Sequence, residues 1–150
     1  MATLGEVEEA MAAVRAVQDV AMGLFHCGSQ YPLRFESANL RAMNTMQQAL
    51  GVPVGYSDHT LGIEIPVAAV AMGATVIEKH FTLDQSLPGP DQEASLEPRE
   101  LEAMIKGIRS VESALGHGRK EPVPSEASTA AVARKSLVAA TGLEAGHLIR

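Results

Sequence analysis

Apolar residues recur along this chain either at helical spacing or in short runs of strand length. In residues 4–17, Leu4, Val7, Met11, Val14 and Val17 return every three or four positions, which predicts an amphipathic helix. Thr3 stands before it with Glu6 three residues on, the two halves of a capping box. Residues 21–27 form an apolar run that predicts a strand, ending in the polar stretch His26, Cys27, Gly28, Ser29, Gln30, Tyr31, Pro32. The helical period returns over 39–50 through Leu40, Met43, Met46 and Leu50, and Gly51 and Pro53 stop it. Val52, Val54 and Tyr56 then lead, as a second strand, into Ser57, Asp58, His59 and Thr60. Residues 63–73 are apolar, Ala-rich and of helical length, with Pro66 near the start, where its missing N–H costs little. Thr75, Val76 and Ile77 lead, as a third strand, into Glu78, Lys79, His80 and Phe81.

Residues 84–95 are polar, and Pro88-Gly89-Pro90-Asp91 excludes regular structure there. Leu101, Met104, Ile105, Ile108, Val111 and Leu115 form one stripe, which predicts the longest helix over 97–115. Residues 116–132 carry Gly, Pro, Ser and charge and read as a linker, and residues 133–140 read as a strand that opens a further unit.

The order helix, strand, helix, strand, helix, strand, helix predicts an α/β fold with a parallel sheet. Parallel strands put their C-terminal ends on one side, so His59 and His80 fall on neighbouring strand tips, near enough to share one ligand. Three strands are too few for a closed barrel, which takes eight strands and ~250 residues. They also leave open edges, and the edge at 21–27 is predicted to favour dimerisation or aggregation.

Composition narrows the function more than the fold. Aromatics are 3% of the chain and there is no Trp, so packing rests on Ala, Val, Leu, Ile and Met. The formal charge is −6 with no basic block, which argues against a nucleic-acid partner. No apolar run is long enough to cross a bilayer, and the N-terminus lacks a basic stretch followed by an apolar one. The single cysteine, Cys27, excludes an internal disulfide and fits a reducing cytoplasm.

The chemistry concentrates at the strand tips. Neutral imidazoles of His59 and His80 suit Mn, Fe, Co or Zn. Asp58, Glu78, Asp84 and Asp91 either supplement such a site or hold a histidine through its other ring nitrogen. Asp58 alternatively caps its turn, and Glu78-Lys79 alternatively form a buried pair. Ser29, Ser57 and Thr60 are short hydroxyls that either meet phosphate oxygens or serve turn geometry. Tyr31 either lines a substrate pocket or packs. Asp91 either binds a sugar hydroxyl or serves its turn. Cys27, beside His26, is either a Cys–His nucleophile or a buried structural thiol.

Six motifs now stand in order: His26 to Pro32, Gly55 to Gly62, Val76 to Leu83, Pro88 to Asp91, Ser95 to Pro98 and Ala133 to Ser136. Together they resemble the sialic acid synthase family, the N-acetylneuraminate synthases and their legionaminate and pseudaminate relatives. The resemblance runs from residue 1 to about 140. It implies the C-terminal part of a TIM (β/α)8 barrel over 1–115, strands six to eight with helices five to eight. A linker over 116–132 and the start of a truncated antifreeze-like domain over 133–150 follow. It implies condensation of phosphoenolpyruvate with an N-acylated hexose, N-acetylmannosamine or a relative, giving a nine-carbon α-keto sugar acid and phosphate, by a homodimer in the complete protein.

The resemblance also assigns residues. His59 and His80 are the catalytic metal ligands, with Mn²⁺ the first choice and Mg²⁺ or Co²⁺ the alternatives. Ser57 matches a phosphoenolpyruvate contact, Tyr31 and Asp91 match sugar-holding residues, and Ser29 stands at a phosphate or carboxylate position. Two positions depart from the family's pattern: Gly28 replaces a threonine, and Gln92 replaces a histidine. Family members carry further strands that bear glutamates and lysines acting on the reactants. The alternative is therefore a catalytically inactive fragment or a half-barrel that serves as an interaction module.

Overall fold

The computed structural model describes residues 1–148. They divide into two compact units, Met1–Gly116 and His117–Arg150. The first carries four helices and three strands: α1 (Leu4–Val17), β1 (Leu24–Cys27), α2 (Arg41–Leu50), β2 (Val54–Asp58), α3 (Glu64–Ala71), β3 (Ile77–Lys79) and α4 (Pro98–Leu115). The strands form one parallel sheet in the order β1-β2-β3. This is the α/β organisation that the alternating periods predict.

Local signals explain the element ends. Thr3 and Glu6 form the expected capping box, each satisfying a backbone N–H of the other. Gly51 ends α2 in the left-handed region at φ 65°, where a side chain is strained. Pro98 opens α4, and the Glu100 carboxylate accepts from the Glu97 N–H at 2.9 Å. β1 is shorter than the apolar run 21–27, because ladder pairing begins only where Leu24 lies opposite Val54. β3 is displaced toward its polar tip, although Thr75 N already donates to the Val54 carbonyl.

Alternation along the strands divides the sheet into two faces. Val54 and Tyr56 point to the helix side and join Leu33, Ala38, Met43 and Ala69 in the core, with Leu24, Met46, Ile65, Met72 and Ile77 packed around them. Gly55, Ser57 and the residues opposite them point the other way. That face is open: Phe25 is 44% exposed, and Glu78 is exposed too. Parallel sheets are commonly covered on both faces, and this face is left uncovered by the described residues of the first unit. Gly55 is required here, since a Cβ would lie 2.7 Å from the Val76 carbonyl oxygen and 2.8 Å from the Phe25 ring.

α1 differs from its sequence pattern in the same sense. Of its apolar stripe only Met11 is buried, while Val14 and Val17 are 47% and 90% exposed. The stripe is amphipathic as read, but the described residues of the first unit supply little to cover it.

One core group stands out energetically. Tyr56 is fully buried, and its hydroxyl has no hydrogen-bond partner among the described residues. Burial, helped by the Asp58 charge and by Cys27, pushes its phenol well above the ordinary tyrosine range. An unsatisfied buried hydroxyl costs ~1–3 kcal/mol. Tyr56→Phe is therefore expected to leave stability unchanged or raise it by about 1 kcal/mol, read as the urea midpoint. A loss of stability shows that the hydroxyl has a partner.

The second unit corrects the reading of 116–140. The expected linker contains a 3-10 turn, Pro124–Glu126, and a helix, α5 (Ala127–Ala133). The strand expected over 133–140 is not formed; residues 134–139 have no regular structure. Ala127 to Ala133 is rich in the best helix former, and a strand needs a partner, of which this unit has none among its described residues. Residues 149–150, the end of the segment expected to open an antifreeze-like domain, lie outside the described residues.

Candidate active site

β2 and β3 run in register, with Ser57 opposite Glu78 and Asp58 opposite Lys79. The next residues on the two chains are His59 and His80, and their ring centroids lie 5.2 Å apart. His59 is buried, and the His80 side chain is 34% exposed.

The His59 ring is oriented by the tip of β1. Its Nδ1 lies 2.6 Å from the Gly28 carbonyl oxygen. A carbonyl only accepts, so Nδ1 carries a proton, and in the neutral ring the lone pair is on Nε2. That is the arrangement a metal-ligating imidazole needs. The backbone around His59 is held as well, since Leu33 N donates to the His59 carbonyl at 2.8 Å. His80 is held by the returning loop, where Leu96 N donates to the His80 carbonyl at 2.8 Å. The same loop brings Asp91 Oδ2 to 3.9 Å from His80 Nδ1, beyond hydrogen-bond reach.

Tyr31 packs against both histidines. Its ring centroid is 4.0 Å from that of His59 and 5.6 Å from that of His80, edge-on to the latter. Tyr31 is 46% exposed, so it shields the pair on one side and faces solvent on the other. Ser57 is buried, and its hydroxyl donates to Glu78 Oε1 at 2.7 Å. A serine has one donor. To meet a phosphate or carboxylate oxygen, the Ser57 hydroxyl must turn away from Glu78. Ser29 is exposed on the loop after β1, and its hydroxyl makes no hydrogen bond among the described residues.

The structure thus gathers His59, His80, Tyr31, Asp91 and Ser57 at one end of the sheet, and Ser29 lies exposed on the segment between Gly28 and Tyr31. Asp84 has a local role: the Ser86 hydroxyl and N–H hold its carboxyl below the usual carboxylate range. Cys27 does not pair with its neighbour His26. Adjacent strand residues face opposite sides, so Cys27 Sγ lies 3.8 Å from His59 Nδ1, while His26 Nε2 bonds the Ala38 carbonyl at 2.9 Å. At Gly28, where the resemblance expects threonine, a Cβ would meet Leu33 Cδ2 at 2.5 Å, so a side chain there requires the Leu33 side chain to shift.

Lys79 is the residue that the sequence reading missed. It does not pair with Glu78. Its Nζ donates to Asp58 Oδ2 at 2.7 Å and to the Thr60 carbonyl, and the two charged side chains are 2% and 0% exposed. The missed signal is positional: Asp58 and Lys79 each precede a tip histidine, so they face each other on the opposite side of the sheet.

No group of three or more His, Cys, Asp or Glu side chains is arranged to hold a metal among the described residues. The donor set is two imidazoles of adjacent strands, one with its tautomer fixed. That fits a divalent cation of the Mn, Fe, Co, Zn class whose other positions are open. No helix among the described residues is long and apolar enough to cross a membrane.

Comparison with known proteins gives the site its context. The sequence pattern of the NeuB family matches residues 1–120. The chain is 46% identical over 150 residues to the N,N'-diacetyllegionaminic acid synthase of Campylobacter jejuni, covering 99% of this chain and 45% of that protein. It is 46% identical over 121 residues to the mouse N-acetylneuraminate-9-phosphate synthase, covering 80% of this chain and 34% of that protein. The fold superposes on the N-acetylneuraminic acid (sialic acid) synthetase of Leptospira borgpetersenii with a TM-score of 0.77 at 42% identity, over 86% of this chain and 45% of that one. The chain spans less than half the length of these relatives. With four-fifths of its residues inside the matched pattern, the chain belongs to the NeuB family, that of the sialic acid synthases.

Proposed function

We propose that this chain forms the metal-holding wall of a phosphoenolpyruvate-dependent synthase, the C-terminal part of a TIM barrel. The complete protein joins phosphoenolpyruvate to an N-acylated hexose and releases phosphate. The observation that carries this is the pair of imidazoles with ring centroids 5.2 Å apart on adjacent strand tips, in a chain similar to named sialic and legionaminic acid synthases.

His59 Nε2 and the His80 ring would hold the divalent cation, Mn²⁺ before Mg²⁺ or Co²⁺. When bound, the cation supplies Lewis-acid polarisation of the open-chain sugar aldehyde. Phosphoenolpyruvate C3 forms the new carbon–carbon bond to the aldehyde carbon as the aldehyde C=O π bond opens, water adds its oxygen at C2, and phosphate leaves with cleavage of its C–O bond, the water's two protons going to the new hydroxyl and to the phosphate. Tyr31 covers the histidine pair and limits water at that side. Ser57 turns its hydroxyl from Glu78 to an oxygen of phosphoenolpyruvate. Asp91, on the returning loop beside His80, accepts from a sugar hydroxyl. Ser29 is free to swing from its exposed loop to an anionic group.

Phosphate release is the test. The open sheet face at Phe25 and Glu78 supports a site completed by groups from outside these residues. The chain alone is expected to release no phosphate from phosphoenolpyruvate and N-acetylmannosamine with Mn²⁺. Joined to the preceding half of a relative's barrel, it is expected to release phosphate with at least one N-acyl hexose, and His80→Ala is expected to abolish that release. Turnover by the chain alone, or a folded joined protein inert toward every N-acyl hexose tried, overturns the proposal.

A further inference from the structure

We infer that the buried Asp58–Lys79 pair is a positioning device that sets the two tip histidines against each other, with Lys79 as its central residue. The inference rests on the metal-holding reading of His59 and His80. It assigns work to two residues that touch neither metal nor substrate.

The geometry is as follows. The β2–β3 ladder ends at the pair Asp58 and Lys79. His59 and Thr60 therefore lie beyond the regular pairing that ties β2 to β3. Lys79 spans that gap. Its Nζ reaches Asp58 Oδ2, before His59, and the Thr60 carbonyl, after it. The Asp58 carboxylate in turn takes Thr60 N at 3.0 Å and Thr60 Oγ1 at 3.1 Å. The residues on both sides of His59 are thus bound to the residue immediately before His80. Asp58 and Thr60 are fully buried, so water does not compete for these bonds.

Other bonds hold each histidine singly. Leu33 N holds the His59 carbonyl, and Leu96 N holds the His80 carbonyl. Neither of these joins one histidine's backbone to the other's, as the Lys79 contacts do. A cation shared by two rings depends on their separation and angle, and partners that orient such ligands are worth ~10–100-fold in metal affinity.

The test compares the full 150-residue chain with Asp58→Asn/Lys79→Met. That double variant removes both charges at similar size, so no unpaired ion is left buried. Two readouts are taken on protein shown to be folded by circular dichroism. The first is Mn²⁺ affinity by electron paramagnetic resonance, expected to fall ~10–100-fold. The second needs no metal: nuclear Overhauser contacts between the His59 and His80 rings, expected in the wild type and lost in the variant, while contacts from Tyr56 to Ile77 persist. A folded double variant with wild-type ring contacts and wild-type affinity makes the pair merely structural and overturns the inference. A wild type that keeps its ring contacts but binds no Mn²⁺ sinks the metal reading, and the ring contacts of the variant still decide the positioning role. If the double variant does not fold, Thr60→Val replaces it, because it removes one donor to Asp58 and keeps both charges. Lower Mn²⁺ affinity or weakened ring contacts in a folded Thr60→Val chain support the inference, and wild-type values for both overturn it.

Discussion

His59→Ala and His80→Ala are each expected to abolish Mn²⁺ binding by this chain. The wild-type chain is expected to reduce the six-line signal of free Mn²⁺ in electron paramagnetic resonance, and either variant to leave it untouched. The two imidazoles are the donors assigned to the cation, so removing one leaves a single nitrogen ligand beside the Asp91 carboxylate. The loss is expected to exceed the ~10–100-fold that removal of an outer-shell partner costs. The two variants differ in side effects. His80 is one-third exposed in its side chain, and truncating it opens no buried void. His59 is buried and donates to the Gly28 carbonyl, so its loss adds ~1–3 kcal/mol for an acceptor left unpaired. His80→Ala is therefore the cleaner variant, and circular dichroism on both separates lost ligation from lost fold. Unchanged Mn²⁺ binding in a folded His80→Ala chain removes that histidine from the site. A folded wild type that leaves the free signal intact means that these 150 residues do not hold the metal by themselves.

The proximity of those histidines was legible because it depends on two simple regularities. Apolar runs of strand length ended in polar tips, and a helical segment between them made the strands parallel. What the sequence withheld was which residues face each other across the sheet. Register decides that Lys79 meets Asp58 and that Ser57 meets Glu78. Register depends on how two chains pack, whereas the pattern of one chain alone leaves Glu78-Lys79 looking like a pair. The alternative of a Cys27–His26 nucleophile pair falls for the same reason, since neighbours in sequence are on opposite faces of a strand. The residues 133–140 show the complementary weakness. Their apolar run reads as strand, but a strand exists only with a partner to pair with, and the Ala-rich stretch just before it folds locally as α5 instead. α1 was legible in its caps and its stripe, and its exposure was not, because burial is a property of what lies opposite.

Lys79→Met is expected to be the most destabilising single substitution at the strand tips. It leaves the Asp58 carboxylate at 0% exposure, deprived of its cation and still enclosed by Thr60. Breaking a buried pair in this way costs ~3–5 kcal/mol, because the remaining charge has neither water nor a counterion. Against a total stability of ~5–15 kcal/mol for an ordinary domain, that brings the chain to the edge of unfolding. Asp58→Asn/Lys79→Met is expected to recover most of the loss, since a neutral buried pair carries little of the desolvation penalty. Lys106→Met is the control. Its ion pair with Glu102 is equally short at 2.6 Å, but the side chains are 74% and 65% exposed, and such pairs are worth ~0–1 kcal/mol. Urea titrations of the three variants and the wild type at one pH and one salt concentration decide the matter. A Lys79→Met midpoint no lower than that of Lys106→Met means that water reaches Asp58, and the tip of the sheet is then held by something other than this pair.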